Sequence, residues 1–304
     1  MLIRRKRSFN DIGFTANLVI NLIFIGIAVL CIVPLLLVIS VSFTDENTLI
    51  NEGYHFFPTH WSTTAYEYLF QDMSQILRSY GNSFLVTGVG TLIGLVIMAL
   101  YAYPIARTDF PHQKFFSIFM FLTMLFNGGL VPWYMVYVKY LHLKDSYWAL
   151  ILPMLVGPFF VLILRTFFKG LPIELIESAK IDGASEFRIF RSVILPLSTP
   201  VLATVALFST LGYWNDWFMS LVFITDDSKV SLQYLMYKTM LNIQYLSANT
   251  QAAQGIASGG THIELPSESA RMAMCIVGIG PIIFAYPFFQ RYFVKGLTVG
   301  AVKG

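Results

Sequence analysis

Asp216 is a carboxylate inside a long apolar run, in the order Tyr213-Trp214-Asn215-Asp216-Trp217. Ionisable groups in such runs are expensive to bury and mark either a pathway or a paired structural site. Aromatic rings beside an amide and a carboxylate offer flat faces for the C–H groups of a sugar and acceptors for its hydroxyls. The competing reading is that Asp216 satisfies a neighbouring helix or sits near an interface. A second polar interruption, Asn127 with Gly128-Gly129, falls in another apolar run and marks a break near the same route. Asn127, Tyr213, Trp214, Asn215, Asp216 and Trp217 are therefore the substrate-path candidates.

Other chemistries find little to stand on. His55, His60, His112, His142 and His262 are scattered without metal-ligand spacing, so no metal site is expected. No Gly-x-Ser-x-Gly nucleophile elbow occurs, and no paired catalytic constellation accompanies Asp216. The chain does not read as an enzyme. Cys31 and Cys275 lie in apolar runs and read as small hydrophobes.

A different kind of segment spans 170–200. Pro172 suits the first turn of a helix, and Glu174 and Glu177 favour its positive end. Ile176, Ala179, Gly183, Phe187, Phe190 and Ile194 recur every three or four residues, which predicts one apolar stripe. Lys180, Asp182, Glu186 and Arg188 fall on the other face. Gly183 in mid-pattern predicts a bend or a close approach to another backbone. Such an amphipathic pair needs either a protein partner or the lipid headgroups to cover it.

The elements that hold these residues follow from composition. The chain has 304 residues, 56% hydrophobic and 12% charged, against about 45–50% and about 25% in soluble domains. A soluble enzyme, a disordered chain and a nucleic-acid binder are poor fits. A spanning helix needs about 20 mostly apolar residues, and six stretches qualify, at about 18–43, 82–106, 115–138, 146–168, 199–224 and 272–293. The runs are continuous rather than alternating, which predicts an all-α membrane protein with a single transmembrane domain over 1–304. The first run lacks a small-x-small cleavage site and reads as a retained helix.

Fourteen of the 20 Lys and Arg fall in the amino-terminal, 107–114, 165–191 and carboxy-terminal segments. The other six are Arg78, Lys139, Lys144, Lys229, Lys238 and Arg271. The positive-inside rule then puts both termini in the cytoplasm. The intervening loop 169–198 is cytoplasmic, and the aromatic, acidic segment 44–81 and the segment 225–271 are external. A plausible amphipathic helix over 232–245 and a small, polar, flexible stretch over 247–260 make up much of the latter.

Glu177-Ser178-Ala179-x-x-Asp182-Gly183-Ala184, followed by Phe187, Phe190, Leu195 and Pro196, closely resembles the EAA loop of ABC-importer permeases. Ser178 stands where that family usually has Ala, a small-for-small exchange. The whole chain, including Trp214-Asn215-Asp216-Trp217 and the glycine-rich tail from Lys295, is similar to carbohydrate-importer permeases of the MalG-like, LplC/YtcP-type family. The resemblance implies a type I ABC-importer permease fold with six transmembrane helices and a cytoplasmic coupling helix. It implies that Glu177, Ser178, Ala179, Asp182, Gly183 and Ala184 form the turn and the ATPase contact. Phe187, Phe190, Leu195 and Pro196 would then link that contact to the spans. The implied partners are a second permease chain, two cytoplasmic ATPase subunits and an extracytoplasmic solute-binding protein, in a bacterial cytoplasmic membrane. The implied substrate is an oligosaccharide or polysaccharide fragment. No Gly-x4-Gly-Lys-[Ser/Thr] occurs, so ATP and Mg belong to the partner ATPase and this chain carries no cofactor. The alternative from another class is an ion-coupled secondary transporter, which calls for intramembrane ion ligands and inverted repeats.

Overall fold

The structure is a computed structural model describing residues 13–248 and 267–300. The basic run 4–7, the polar stretch 249–260, His262 and the side chains of the glycine-rich tail lie outside the described residues. Within them the secondary structure is helical, apart from one isolated bridge between Thr44 and Trp61. The chain divides into two compact units, Met1–Gln71 with Ile243–Val277, and Asp72–Asn242 with Gly278–Gly304.

The first unit holds α1 (Phe14–Ser42), α2 (Glu46–Glu52) and α3 (Thr64–Leu69). α1 is apolar all round and carries no charge, and its side chains are exposed along most of its length. That pattern suits a helix solvated by lipid rather than one packed on a core. Asp45 caps α2 by accepting from the amides of Asn47 and Thr48 at 3.1 and 3.3 Å. Glu46 points away from its own helix and accepts from the Ser267 hydroxyl, the Glu268 amide, and the Ser269 amide and hydroxyl at 2.8–3.1 Å. Burial alone would raise this carboxyl, but those four donors hold it below its usual value.

The second unit is built on α4 (Met73–Ala106). Then follow α5 (Gln113–Leu125), α6 (Leu130–Met135), α7 (Tyr147–Ile151), α8 (Pro158–Lys169), α9 (Ile173–Ile181) and α10 (Glu186–Ile189). A π turn at Phe190–Ile194 leads into α11 (Leu195–Leu197), α12 (Thr199–Trp214) and α13 (Phe218–Phe223). Helices α14 (Leu232–Ala248) and α15 (Ser267–Gly300) complete the chain. α14 covers the predicted amphipathic stretch 232–245.

α4 packs chiefly on α8 and α12. Small residues set two of its contacts. A Cβ on Gly90 would lie 2.5 Å from the Tyr213 ring, and one on Gly94 would lie 2.6 Å from the Leu155 carbonyl oxygen. Close packing through small residues is the expected use of glycine in a membrane helix.

The spans are less regular than the sequence predicts. Among the described residues, Phe14–Ser42 and Thr64–Ala106 are long and apolar enough to cross a membrane. Three bent pairs also pass that test, at 114°, 50° and 80°, which allows up to five spans by length and composition. The sixth expected stretch, 272–293, lies inside the 34-residue α15. The expected third span breaks after α5, where Gly129 has φ +83° and the Asn127 side chain accepts from the Gly129 amide at 2.8 Å. The expected fourth span breaks before Pro158, which has no N–H to continue a ladder.

Candidate functional site

The segment 170–200 begins with the expected pair of short helices, α9 and α10. Glu174 in the first turn of α9 and Lys180 in its last both complement the helix dipole. Gly183 then takes φ +76°, the left-handed conformation that glycine adopts without penalty. Its amide donates to the Lys180 carbonyl and the Ala184 amide donates to the Ala179 carbonyl, both at 3.0 Å. This pair of bonds is the Schellman closure of a helix. The bend that Gly183 predicted is present, but the close approach is not, since a Cβ there meets nothing within 4 Å.

Ser185 caps α10 by accepting from the Arg188 amide at 3.4 Å. The Leu195 amide reaches back to Phe190, closing the π turn, and Pro196 follows with no N–H to extend it. The chain then turns by 80° into α12.

The turn at Gly183 resets the helical phase, which corrects the predicted stripe. Phe187 is 64% exposed, while Ile189, off the predicted stripe, is buried. Ile176, Ile189, Phe190 and Ile194 enter one apolar cluster with Met98, Ala102 and Ile105 of α4, Met120 of α5, Leu164 of α8, and Val201 and Val205 of α12. Ala179, Ala184 and Leu195 pack half-buried against it. Glu177, Ser178, Asp182, Gly183, Phe187 and Pro196 remain exposed. The helix pair is therefore anchored to four longer helices by one face and open to a partner on the other.

A polar joint reinforces the anchor, and the sequence pattern missed it. Arg107, just past the end of α4, donates to Asp109 through Nε and Nη2 at 2.9 and 2.6 Å. Lys180 bridges Asp109 and Glu186 at 3.0 and 2.9 Å, and the Tyr103 hydroxyl donates to Glu186 at 2.6 Å. The Arg107 guanidinium holds the Asp109 carboxyl well below the usual carboxylate range. The Tyr103 hydroxyl, then Lys180 and Arg107, lower Glu186, and Glu186 with Asp109 raises Lys180. Asp109 and Glu186 are half-exposed, so these pairs are worth little as stability and more as geometry. Glu177 and Asp182, by contrast, have no ion-pair partner among the described residues. An Arg-x-Asp directly after an apolar span is the one sequence signal that could have pointed to the joint.

The substrate-path candidates separate into two groups. α12 ends at Trp214, so Asn215 and Asp216 lie in a break rather than inside a continuous fifth span. Short polar side chains compete for backbone groups and favour helix ends. Asp216 accepts from the Met219 amide at 3.1 Å and so starts α13. Tyr213 is buried with its hydroxyl on the Ile151 carbonyl at 2.8 Å, and the Trp214 indole N–H donates to the Gly278 carbonyl at 3.0 Å. Their polar atoms are spent within the fold. Asn127, Asn215 and Trp217 are exposed, with the Trp217 ring 4.4 Å from that of Tyr237.

Known proteins resemble this chain in sequence and in fold. The chain is 39% identical over 287 residues to protein LplC of Bacillus subtilis, covering 94% of each chain. It is 35% identical over 277 residues to the polygalacturonan/rhamnogalacturonan transport system permease protein YtcP of the same organism, covering 91% of this chain and 94% of YtcP. The fold matches a chain in the crystal structure of a bacterial ABC transporter involved in the import of the acidic polysaccharide alginate. There the TM-score is 0.74 at 24% identity, over 93% of this chain and 99% of that one. Residues 89–299, which include the helix pair, its apolar anchor and the broken fifth span, match the model for binding-protein-dependent transport system inner membrane components. By that match and those relatives, the chain belongs to the family of membrane permease components of binding-protein-dependent transport systems.

Proposed function

We propose that this chain is one of two membrane-spanning subunits of an ATP-driven importer for an oligosaccharide or polysaccharide fragment. The observation that carries the reading is the helix pair α9–α10. It buries Ile176, Ile189, Phe190 and Ile194 in a cluster shared with α4, α5, α8 and α12, yet leaves Glu177, Ser178, Asp182 and Gly183 open. A lever of that form passes the motion of a partner into the spans as a two-state rearrangement. One of two ATPase subunits holding ATP and Mg covers the open face, and an extracytoplasmic binding protein delivers sugar from the other side. The chain itself contributes no catalytic step. It lies in the bacterial cytoplasmic membrane with both termini inside, in keeping with the distribution of Lys and Arg. Support for a sugar substrate comes from the name of the relative YtcP, and from exposed Asn127, Asn215 and Trp217 beside Asp216 at the breaks in spans three and five. The ion-coupled alternative has no support from family membership.

The test is reconstitution with the second permease, the ATPase and the binding protein. We expect uptake of labelled oligosaccharide that requires ATP, and loss of ATPase co-purification in Glu177→Ala. Undiminished association in that variant would remove the coupling assignment.

A further inference from the structure

α4 runs unbroken for 34 residues, from Met73 to Ala106. The helical rise makes it about 51 Å long. Its neighbours in the second unit are interrupted. Span three bends by 114° between α5 and α6, span four bends by 50° ahead of α8, and span five breaks after Trp214. An interrupted span absorbs part of a motion at its break, whereas an intact helix carries the motion from one end to the other.

One end of α4 is fastened to α9–α10, by the apolar cluster and by the Tyr103 hydroxyl on Glu186. The other end has a fastening of its own. Asn82 is 6% exposed. Its amide nitrogen donates to the Ser228 and Val230 carbonyls at 2.9 and 3.0 Å, and its oxygen accepts from the Tyr147 hydroxyl at 2.9 Å. The adjacent Ser83 hydroxyl accepts from the Leu232 amide at 2.8 Å, so α4 satisfies an orphan donor in the first turn of α14. Gln75 donates to the Asp227 carbonyl, and Val86 shares an apolar cluster with Val230. Gln75, Asn82, Ser83 and Val86 fall at i, i+7, i+8 and i+11, on one face of the helix. Asp145 holds the same segment by accepting from the Thr225 hydroxyl and the Asp226 amide at 2.6 and 2.9 Å.

A buried asparagine in an apolar run is costly unless its hydrogen bonds are made, and the Asn82 side chain makes three. Apolar packing lets surfaces slide, but bonds to particular carbonyls admit one register. The Asn82 and Tyr103 fastenings lie about 32 Å apart along the same helix. In the proposed orientation the first faces the side of the binding protein and the second the side of the ATPase. We propose that Asn82 is a positioning residue. Through it α4 moves the outer segment 225–232 and the pair α9–α10 as one piece, so that a loaded binding protein outside raises ATP hydrolysis inside. The assignment rests on the importer reading above and names the residue at the outer end of its coupling route.

The test uses the complete transporter in proteoliposomes, with binding protein loaded from a mixture of neutral and acidic oligosaccharides. ATP hydrolysis is followed without binding protein and against rising concentrations of it. Asn82→Leu, close in size, removes all three bonds. It should lower the maximal stimulated rate ~tenfold, with the basal rate, ATPase co-purification and the half-saturating concentration of binding protein unchanged. Tyr147→Phe and Ser83→Ala each remove one bond and should lower the same maximum ~threefold. A wild-type maximum in Asn82→Leu overturns the proposal. A parallel fall in basal and stimulated rates also overturns it, since Asn82 then only supports the fold. A raised half-saturating concentration does the same, since Asn82 then only shapes the docking surface. If Asn82→Leu does not accumulate in the membrane, Tyr147→Phe and Ser83→Ala decide by the same three readings. A wild-type complex that loaded binding protein does not stimulate overturns the importer reading itself.

Discussion

The two halves of α4 do different work. From Met98 to Ala106 the helix is sealed into the apolar cluster that also holds α9, α10 and the start of α12. Its final turns are tied down by Gln113 and Arg165, both of which donate to the Ile105 carbonyl at 3.0 and 3.1 Å. From Phe84 to Leu95 one face packs through Gly90 and Gly94 while another, with Gly88, borders an open and largely apolar cavity. One end is sealed among its neighbours, and the other leaves room. Under the proposed function, this contrast would let a single helix link the surface that meets the ATPase to the region between the spans.

Three predictions bear on that contrast. The largest effect is expected for Gly90→Val, which drives a β-branched side chain into the Tyr213 ring. Overpacking of this kind costs about 1–3 kcal/mol. Thermal unfolding in detergent should show a clear loss for Gly90→Val and none for Gly88→Val. Equal melting of the two variants would erase the distinction between the packed and open faces.

At the sealed end, Arg107→Ala removes the cation that Asp109 grips through two bonds. Uptake per ATP hydrolysed should fall roughly fivefold, because the Asp109 and Glu186 carboxylates lose the cation that orders them. Lys180→Ala should cost less, about twofold, because its side chain is 39% exposed and its bonds are screened by solvent. A larger loss in Lys180→Ala than in Arg107→Ala would reverse the assigned order of the joint.

The smallest effect is an expected constancy. Asp109 and Glu186 have lowered folded-state values, so their contribution is present at neutral pH and lost only as pH falls through those values. Lys180 is raised, so its contribution is lost only as pH climbs past its ordinary range. Coupling should therefore be flat from about pH 5.5 to 8.5. A step near neutrality in the ratio of uptake to hydrolysis would show that some other group governs the joint.

What could be read from sequence was local. Gly183 announced its bend because only a glycine sits comfortably at positive φ, and the six apolar stretches announced helices because length and apolarity suffice for that. Phase across the Gly183 turn could not be read, since a 3.6-residue period drawn through a Schellman closure loses register, and Phe187 and Ile189 were exchanged as a result. The break after Trp214 was hidden because two polar residues vanish in the average of a long apolar window. Beyond its local Arg-x-Asp signal, the Arg107 joint was hidden for a different reason. Asp109 meets Lys180 across 71 residues and Tyr103 meets Glu186 across 83, and no periodicity connects positions so far apart.

The central claim is that the closed turn between α9 and α10 holds the surface through which a partner ATPase drives the spans. Gly183 tests it most directly, because its conformation, not its size, is what the turn requires. Gly183→Val should abolish ATP-driven uptake and ATPase co-purification in a chain that still accumulates in the membrane. Gly183→Asn, which tolerates the left-handed region, should retain a substantial part of both. Wild-type uptake in Gly183→Val would contradict the account, as would equal loss in Val and Asn.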